Sequence, residues 1–262
     1  MREYLPRFAP VVSPDGAEVL YAVATREGGD GEPAEAAVVA STVDWELGEL
    51  TGAPRTIMTA INLAESQPLA YSWSPDGQAV AVASRLGRRP AIWVVDPEGT
   101  RRVPTACAPR ALDTVELAWS SAGVIAFVAG YGPPLGRHRL PASAIYTARA
   151  DGTQRCRLLI RPRGRFRNDR DPAWSDDGAR LAFVRLGRRD RLMTVGADRT
   201  GLRTVHRARL LAVPAWSPDG RWLAYDDIIT GPKIVPSSGG RSRSVGFKTF
   251  DVVTGIEWEP AD

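Results

Sequence analysis

The chain has 262 residues, of which 44% are hydrophobic and 24% charged, a balance that excludes an intrinsically disordered protein. No apolar run reaches the roughly 18–20 residues of a membrane span, and Met1–Pro10 lacks the apolar core of a secretory signal, so we expect a soluble protein without a membrane span. Its compartment stays open between the cytoplasm and export with a signal already removed. The net charge is +4, and all but two of the 34 basic residues are arginine, which makes bidentate contacts with carboxylates and phosphates.

The only cysteines are Cys107 and Cys156, and the only histidines are His138 and His206. Two cysteines are too few for a disulfide framework, and these four residues lack metal-ligand spacing, so we predict no metal site and no cofactor. Whether the cysteines are bridged stays open. An oxidising compartment would favour a bridge, and a reducing one would leave two buried thiols.

A five-residue motif recurs six times along the chain. The copies are VSPDG from Val12, WSPDG from Trp73, WSSAG from Trp119, WSDDG from Trp174, WSPDG from Trp216 and WEPAD from Trp258. Their first residues are 61, 46, 55, 42 and 42 residues apart. Periods of about 40–50 residues are typical of four-stranded propeller blades.

Each motif predicts a tight turn between two antiparallel strands. Ser, Pro and Asp suit the first three positions of a type I turn, and the following Gly suits a residue with positive φ. A short apolar strand follows each turn, as in EVLYAVA, VIAFVA and WLAYDD, and a third and a fourth apolar segment complete each unit. The Ala-, Glu- and Gly-rich stretch Thr25–Ala37 is predicted to be a flexible loop.

Stacked around an axis, such four-stranded sheets bury each other's faces, and the motif tryptophans fill the space between them. From about Phe8 to Trp258 the pattern resembles the TolB-like β-propeller family, whose repeats share the Trp-Ser-Pro-Asp-Gly core. We therefore predict an all-β, single-domain protein over residues 1–262. It is a β-propeller of four-stranded antiparallel blades with five complete repeats and a partial sixth, hence five- or six-bladed.

The partial sixth repeat leaves the strand at Trp258 in need of a partner. One prediction is that this strand pairs with the N-terminal segment MREYLP and closes the ring. The alternative is an incomplete blade that a partner or a second copy completes, which would allow self-association.

The predicted strand order gives the disc two different faces. The turns between strands 1 and 2 and between strands 3 and 4 lie on the "turn face", which collects aspartates. The loops between strands 2 and 3 and the links between blades lie on the "loop face", which collects arginines, including RLGRR at both Arg85–Arg89 and Arg185–Arg189. Local hydrogen bonding in turns also explains the aspartates, and a solvated surface also explains the arginines.

In propellers of the TolB-like and related kinds the loop face usually binds, so the resemblance implies a binding platform for a protein or an anionic small molecule. The predicted binding residues on this face or at the mouth of the central channel are Arg88, Arg89, Arg110, Tyr131, Arg137, Arg139, Arg165, Arg167, Arg170, Arg188 and Arg189. The arginines around Phe166 would also suit nucleic acid, but a single such run and a modest net charge make that partner unlikely.

The alternative function is a small propeller hydrolase or lyase that acts on a sugar or a specialised metabolite. Its candidate catalytic residues are His138 in a long loop and the carboxylates Asp113, Asp169, Asp171, Asp226 and Asp227 near the channel mouth. The chain has no G-x-S-x-G nucleophile elbow and no phosphate-binding glycine loop. Propeller lyases of related repeat type use clustered histidines around a metal, and a chain with two histidines departs from that pattern. A third hypothesis is a purely structural module.

Overall fold

The structure is a computed structural model, and it describes residues 10–27, 33–62, 70–86, 89–108, 116–131, 142–160 and 168–245. These residues form twenty β-strands in five four-stranded antiparallel sheets, with no helix among them. The motif at Trp258 and the segment MREYLP lie outside the described residues, so the closure of the ring and a sixth blade stay predictions.

Each sheet is one repeat, and its strands follow in chain order. Blade 1 contains β1 (Val11–Val12), β2 (Glu18–Glu27), β3 (Pro33–Asp44) and β4 (Glu49–Asn62). Blade 2 contains β5 (Ala70–Trp73), β6 (Val80–Leu86), β7 (Arg89–Asp96) and β8 (Gly99–Val103). Blade 3 contains β9 (Leu117–Trp119), β10 (Val124–Tyr131), β11 (Ala142–Arg149) and β12 (Arg157–Leu158).

Blade 4 contains β13 (Asp169–Trp174), β14 (Arg180–Arg185), β15 (Asp190–Gly196) and β16 (Arg203–Ala208). Blade 5 contains β17 (Leu211–Trp216), β18 (Trp222–Asp227), β19 (Gly231–Pro236) and β20 (Arg243–Ser244). The prediction of a loop over Thr25–Ala37 is wrong for its two ends. There β2 and β3 extend their pairing beyond Ala24 and Ala36 with two register shifts.

The blades are arranged as a propeller, as the repeat predicts. The first strands of successive blades contact one another, which places them innermost in the ring. Four apolar clusters fill the interfaces between neighbouring blades, and Phe127, Phe183 and Tyr225 are among their fully buried side chains. The core is therefore a series of layers between sheets.

The motif turns have the predicted hydrogen bonding. In the turn at Ser217, the Gly220 N–H donates to the Ser217 carbonyl at 2.8 Å, and the five motif glycines have φ between 65° and 73°. The Ser217 hydroxyl donates to the Asp219 carboxylate at 2.6 Å and accepts the Trp222 N–H at 2.9 Å. One serine thus joins both sides of the hairpin.

Three of the motif tryptophans also bond to the preceding blade. The indole N–H of Trp73 donates to the Val11 carbonyl at 3.2 Å. The indole N–H groups of Trp174 and Trp216 donate in the same way to the carbonyls of Ala118 and Ala173, at 3.2 and 3.0 Å. Each acceptor lies in or next to the innermost strand of the preceding blade. The predicted packing role is confirmed, and each of these indoles adds a directional bond between blades.

A disulfide joins Cys107, in the link that follows β8, to Cys156, just before β12, with the two Cα atoms 5.5 Å apart. It connects the link after blade 2 to the outer part of blade 3. Bridges of this kind stabilise mainly by restricting the unfolded chain, and a loop of this length gives about 4 kcal/mol in the chain-entropy model.

We predict that Ser217→Ala raises the pKa of Asp219. The hydrogen bond from the Ser217 hydroxyl, and to a smaller extent the one from the Arg221 N–H, holds the pKa of Asp219 below its usual value. The ionised carboxylate therefore stabilises the fold above pH about 4, and this stabilisation is lost as the pH falls. The free-energy difference between wild type and variant should be largest near neutral pH and shrink in acid. Carboxyl-carbon NMR titration and urea unfolding measure the two effects. Ser238→Ala, an exposed serine outside the motif, should change neither.

Candidate functional site

Five arginines, four in blade 4 and one in the link that follows it, line a pocket of about 670 Å³ on the loop face. They are Arg188 and Arg189 in the loop between β14 and β15, Arg191 in β15, Arg207 in β16 and Arg209 in the link to blade 5. We call this set the arginine pocket. The sequence analysis selected Arg188 and Arg189 for binding, and it did not select the other three.

Strand register brings these arginines together. Arg191 pairs directly with Arg207 across the antiparallel ladder, so the two side chains leave the same side of the sheet. Arg189 directly precedes β15 and Arg209 directly follows β16, so both lie at the strand ends that flank this pair and line the same pocket. The pocket is therefore built from two adjacent strand ends and the loop beside them.

Asp190 lies between Arg189 and Arg191 but is directed to the other side of the sheet, where it is 3% exposed. Its carboxylate accepts the Gly187 N–H at 3.1 Å and the Leu211 N–H at 3.2 Å. It thereby fixes the basic loop and ties blade 4 to the innermost strand of blade 5. Its local role is to hold the pocket in shape.

The described residues that line the pocket are all positively charged. Within the described ranges, no carboxylate forms an ion pair with any of its five guanidinium groups, four of which are exposed. His206 is adjacent in β16, and burial lowers its pKa, which disfavours the charged form of its imidazole. Like charges directly opposite on a sheet repel, and a bound anion would relieve that repulsion.

The inner end of the same cross-strand row is neutralised. Asp169 pairs with Arg185 across β13 and β14, and Arg185 pairs in turn with Arg191. The Arg185 Nε and Nη2 donate to the two Asp169 oxygens at 2.6 and 2.7 Å, and the two side chains are 5% and 1% exposed. Asp169, predicted as a catalytic candidate, therefore lies in a buried ion pair.

Asp171, a second catalytic candidate, is part of the inner ring. It has a φ of 51° in a bulge of β13, and its carboxylate accepts the Val213 N–H at 3.4 Å from the equivalent bulge of β17. Its own N–H donates to the Glu116 carboxylate of blade 3. Arg170, a predicted binding residue, lies in the innermost strand β13, and its Nε is 3.5 Å from the Asp171 carboxylate. It is not among the described residues that line the pocket.

Asp226 and Asp227 end β18 and are buried. The Asp227 carboxylate accepts the Ile229 N–H at 3.1 Å and the Thr230 N–H at 3.2 Å, which is the hydrogen bonding of a tight turn. Asp227 is therefore engaged in holding the β18–β19 turn.

The remaining predicted site residues lie outside the described ranges or at their ends. Those outside the described residues are Arg88, Arg110, Asp113, Arg137, His138, Arg139, Arg165 and Arg167. Arg89 is the first residue of β7 and Tyr131 is the last residue of β10, and only the backbone of these two residues is described.

Two further findings concern the described ranges. They contain no group of three or more His, Cys, Asp or Glu side chains placed to hold a metal ion. They also contain no helix with the length and apolar character of a membrane span.

No protein-family model matches the chain, and no curated protein does. Among solved structures, TolB from Acinetobacter baumannii is 18% identical with a TM-score of 0.61, and the match covers 88% of this chain and 52% of that chain. A nidogen/laminin complex is 14% identical with a TM-score of 0.56, covering 79% of this chain and 73% of that one. An oligogalacturonate lyase in complex with manganese is 13% identical with a TM-score of 0.57, covering 92% and 66%.

The chain thus spans about half the length of the TolB chain that it matches. Identities this low show the fold alone, which is a TolB-like β-propeller. Matches to a protein complex and to an enzyme show that this fold carries both kinds of function.

We predict that Asp169→Asn destabilises the protein by about 3–5 kcal/mol, because it leaves the Arg185 guanidinium buried without its counter-charge. The double variant Asp169→Leu/Arg185→Met, which removes both charges, should recover most of that loss. Urea unfolding measures both. Wild-type stability in Asp169→Asn would contradict the structural role of this ion pair.

Arg207→Gln should stabilise the unliganded protein, by up to about 0.5 kcal/mol at low salt, because it removes one of two like charges placed opposite each other. The gain should disappear at high ionic strength, where exposed charges are screened. Thermal unfolding at two salt concentrations measures the effect. Arg155→Gln, an exposed arginine on the turn face, is the control and should show no gain; equal behaviour of the two variants would contradict repulsion in the pocket.

Proposed function

We propose that this protein is a non-catalytic binding platform whose partner is anionic and docks on the loop face at the arginine pocket. One observation carries the proposal: five guanidinium groups line one concave site and have no carboxylate partner among the described residues. The structure of the blade does not require this charge, because Asp190 and the Asp169–Arg185 pair already connect its strands and loops.

The chemistry of the side chain supports an anionic partner. A guanidinium group presents parallel N–H donors that match the two oxygens of a carboxylate or a phosphate. Several such groups around one concavity also attract anions over a distance and raise the rate of encounter. Because most of these side chains are exposed, binding should weaken as salt rises.

The surroundings of the predicted catalytic carboxylates favour the platform over the alternative hydrolase or lyase. Asp169 is in a buried ion pair, Asp171 accepts a backbone N–H of the next blade, and Asp227 holds a turn. A general acid or base needs an oxygen within reach of the substrate. These three carboxylates are better explained as parts of the scaffold.

The test is a pull-down from the lysate of the source organism with wild type and with Arg189→Glu/Arg209→Glu. The control is Arg155→Glu/Arg241→Glu, which makes the same charge change at two exposed arginines on the turn face. We expect wild type and control to retain the same protein at near-physiological salt, and the pocket variant to lose it by at least tenfold. Quantitative mass spectrometry measures the retained amounts.

Equal retention by all three proteins would contradict docking at the pocket. Retention lost equally in the pocket variant and the control would indicate an unspecific dependence on net charge, which also contradicts the proposal. Because all four substitutions are at exposed positions, circular dichroism should give the wild-type spectrum for both variants.

A further inference from the structure

Three exposed aliphatic side chains lie on the loop face, in the link that also carries Arg209 and in the turn that is hydrogen-bonded to that link. Leu210 is 44% exposed in the link between blades 4 and 5, and Ile228 and Ile229 are each 50% exposed in the turn between β18 and β19. Leu210 directly follows Arg209 in the chain, so the link carries one residue of the pocket and one of these aliphatic residues. We call the three residues the aliphatic patch.

The backbone of the aliphatic patch is held in place by hydrogen bonds. The Ile228 N–H donates to the Leu210 carbonyl at 3.3 Å, which joins the link to the turn. The buried Asp227 carboxylate accepts the N–H groups of Ile229 and Thr230. The two isoleucines are therefore presented by an ordered turn, and a ligand would not have to order it first.

The composition of this turn is unusual for its position. Exposed turns favour Gly, Asn, Asp, Pro and Ser, and the corresponding loop of blade 4 has Gly187, Arg188 and Arg189. Half of each isoleucine remains in water, so packing within the described residues does not account for the choice. Local rules of this kind are broken most often at functional sites.

From this juxtaposition we infer that the partner is an acidic polypeptide segment with an aliphatic or aromatic anchor. The anchor covers the aliphatic patch, and neighbouring Asp or Glu carboxylates bind in the arginine pocket. This inference rests on the proposed function and specifies its partner. A small polyanion would fill the pocket and leave the patch in water. A flat anionic membrane would meet the loop tips but could not enter a cavity of about 670 Å³.

The test is selection of a random twelve-residue peptide display library on the immobilised protein. We expect the enriched sequences to combine Asp or Glu with Leu, Ile, Phe or Trp. The most enriched sequence is then synthesised, labelled and titrated by fluorescence anisotropy against three variants. Ile228→Ser/Ile229→Ser removes the patch, Arg189→Glu/Arg209→Glu changes the pocket, and Leu47→Ser/Leu50→Ser removes two exposed leucines from blade 1 as a matched control.

Binding should fall about tenfold in the isoleucine variant, which corresponds to losing the burial of about one aliphatic side chain, and at least tenfold in the arginine variant. The leucine control should bind like wild type. If the enriched peptides are acidic but bind the isoleucine variant like wild type, the inference is wrong and the proposed function stands. If they bind the arginine variant like wild type, the proposed function fails too.

Absence of any enrichment above a protein-free surface would also overturn the inference. In that case the wild type and the isoleucine variant are sedimented with phosphatidylserine vesicles, and the informative result is sedimentation of the wild type alone. That result would assign the patch to a membrane surface.

Discussion

The bond from the tryptophan of three motifs to the preceding blade is the constraint on which the architecture depends. A four-stranded sheet buries too little apolar surface to be stable alone, so each blade needs its neighbour. The indole N–H of Trp73, Trp174 and Trp216 fixes that neighbour through a carbonyl of, or next to, its innermost strand. The turn after the tryptophan is closed by Ser, Asp and Gly. One short motif thus sets both the hairpin and the spacing of the ring, which explains why the chain repeats it.

The motif does not constrain the strand ends on the loop face, and blade 4 carries a row of charged residues there. Its cross-strand row begins with the buried Asp169–Arg185 pair and continues to Arg191 and Arg207, which have no carboxylate opposite them. Charges near the axis are neutralised, and charges at the outer strands are not. This placement separates groups that hold the scaffold from groups that are free to contact a partner.

Sequence reasoning was most successful where the physical cause is local. The Ser-Pro-Asp-Gly turns, the strand order and the packing role of the tryptophans follow from neighbouring residues, and so does the basic loop at Arg188 and Arg189. Arg191, Arg207 and Arg209 were not selected because their convergence depends on the pairing of β15 with β16. The sequence predicts Asp169 and Asp171 only as channel-mouth carboxylates. It does not show their partners, Arg185 and the Val213 N–H, because these lie on other strands. The bridge between Cys107 and Cys156 stays open at the level of the sequence, because the pairing of two cysteines 49 residues apart is not a local property.

The disulfide between those two cysteines makes the chain from residue 107 to residue 156 a closed covalent loop. That loop contains the ten residues between β10 and β11, and long connections between strands are common sites of proteolytic cleavage. A single cut anywhere within the loop would leave both pieces covalently attached, and the nicked molecule would separate into fragments only after reduction. Blade 3 would then be held by both its packing and its bridge, so the ring would tolerate cleavage at this point better than at any equivalent position in blades 4 and 5.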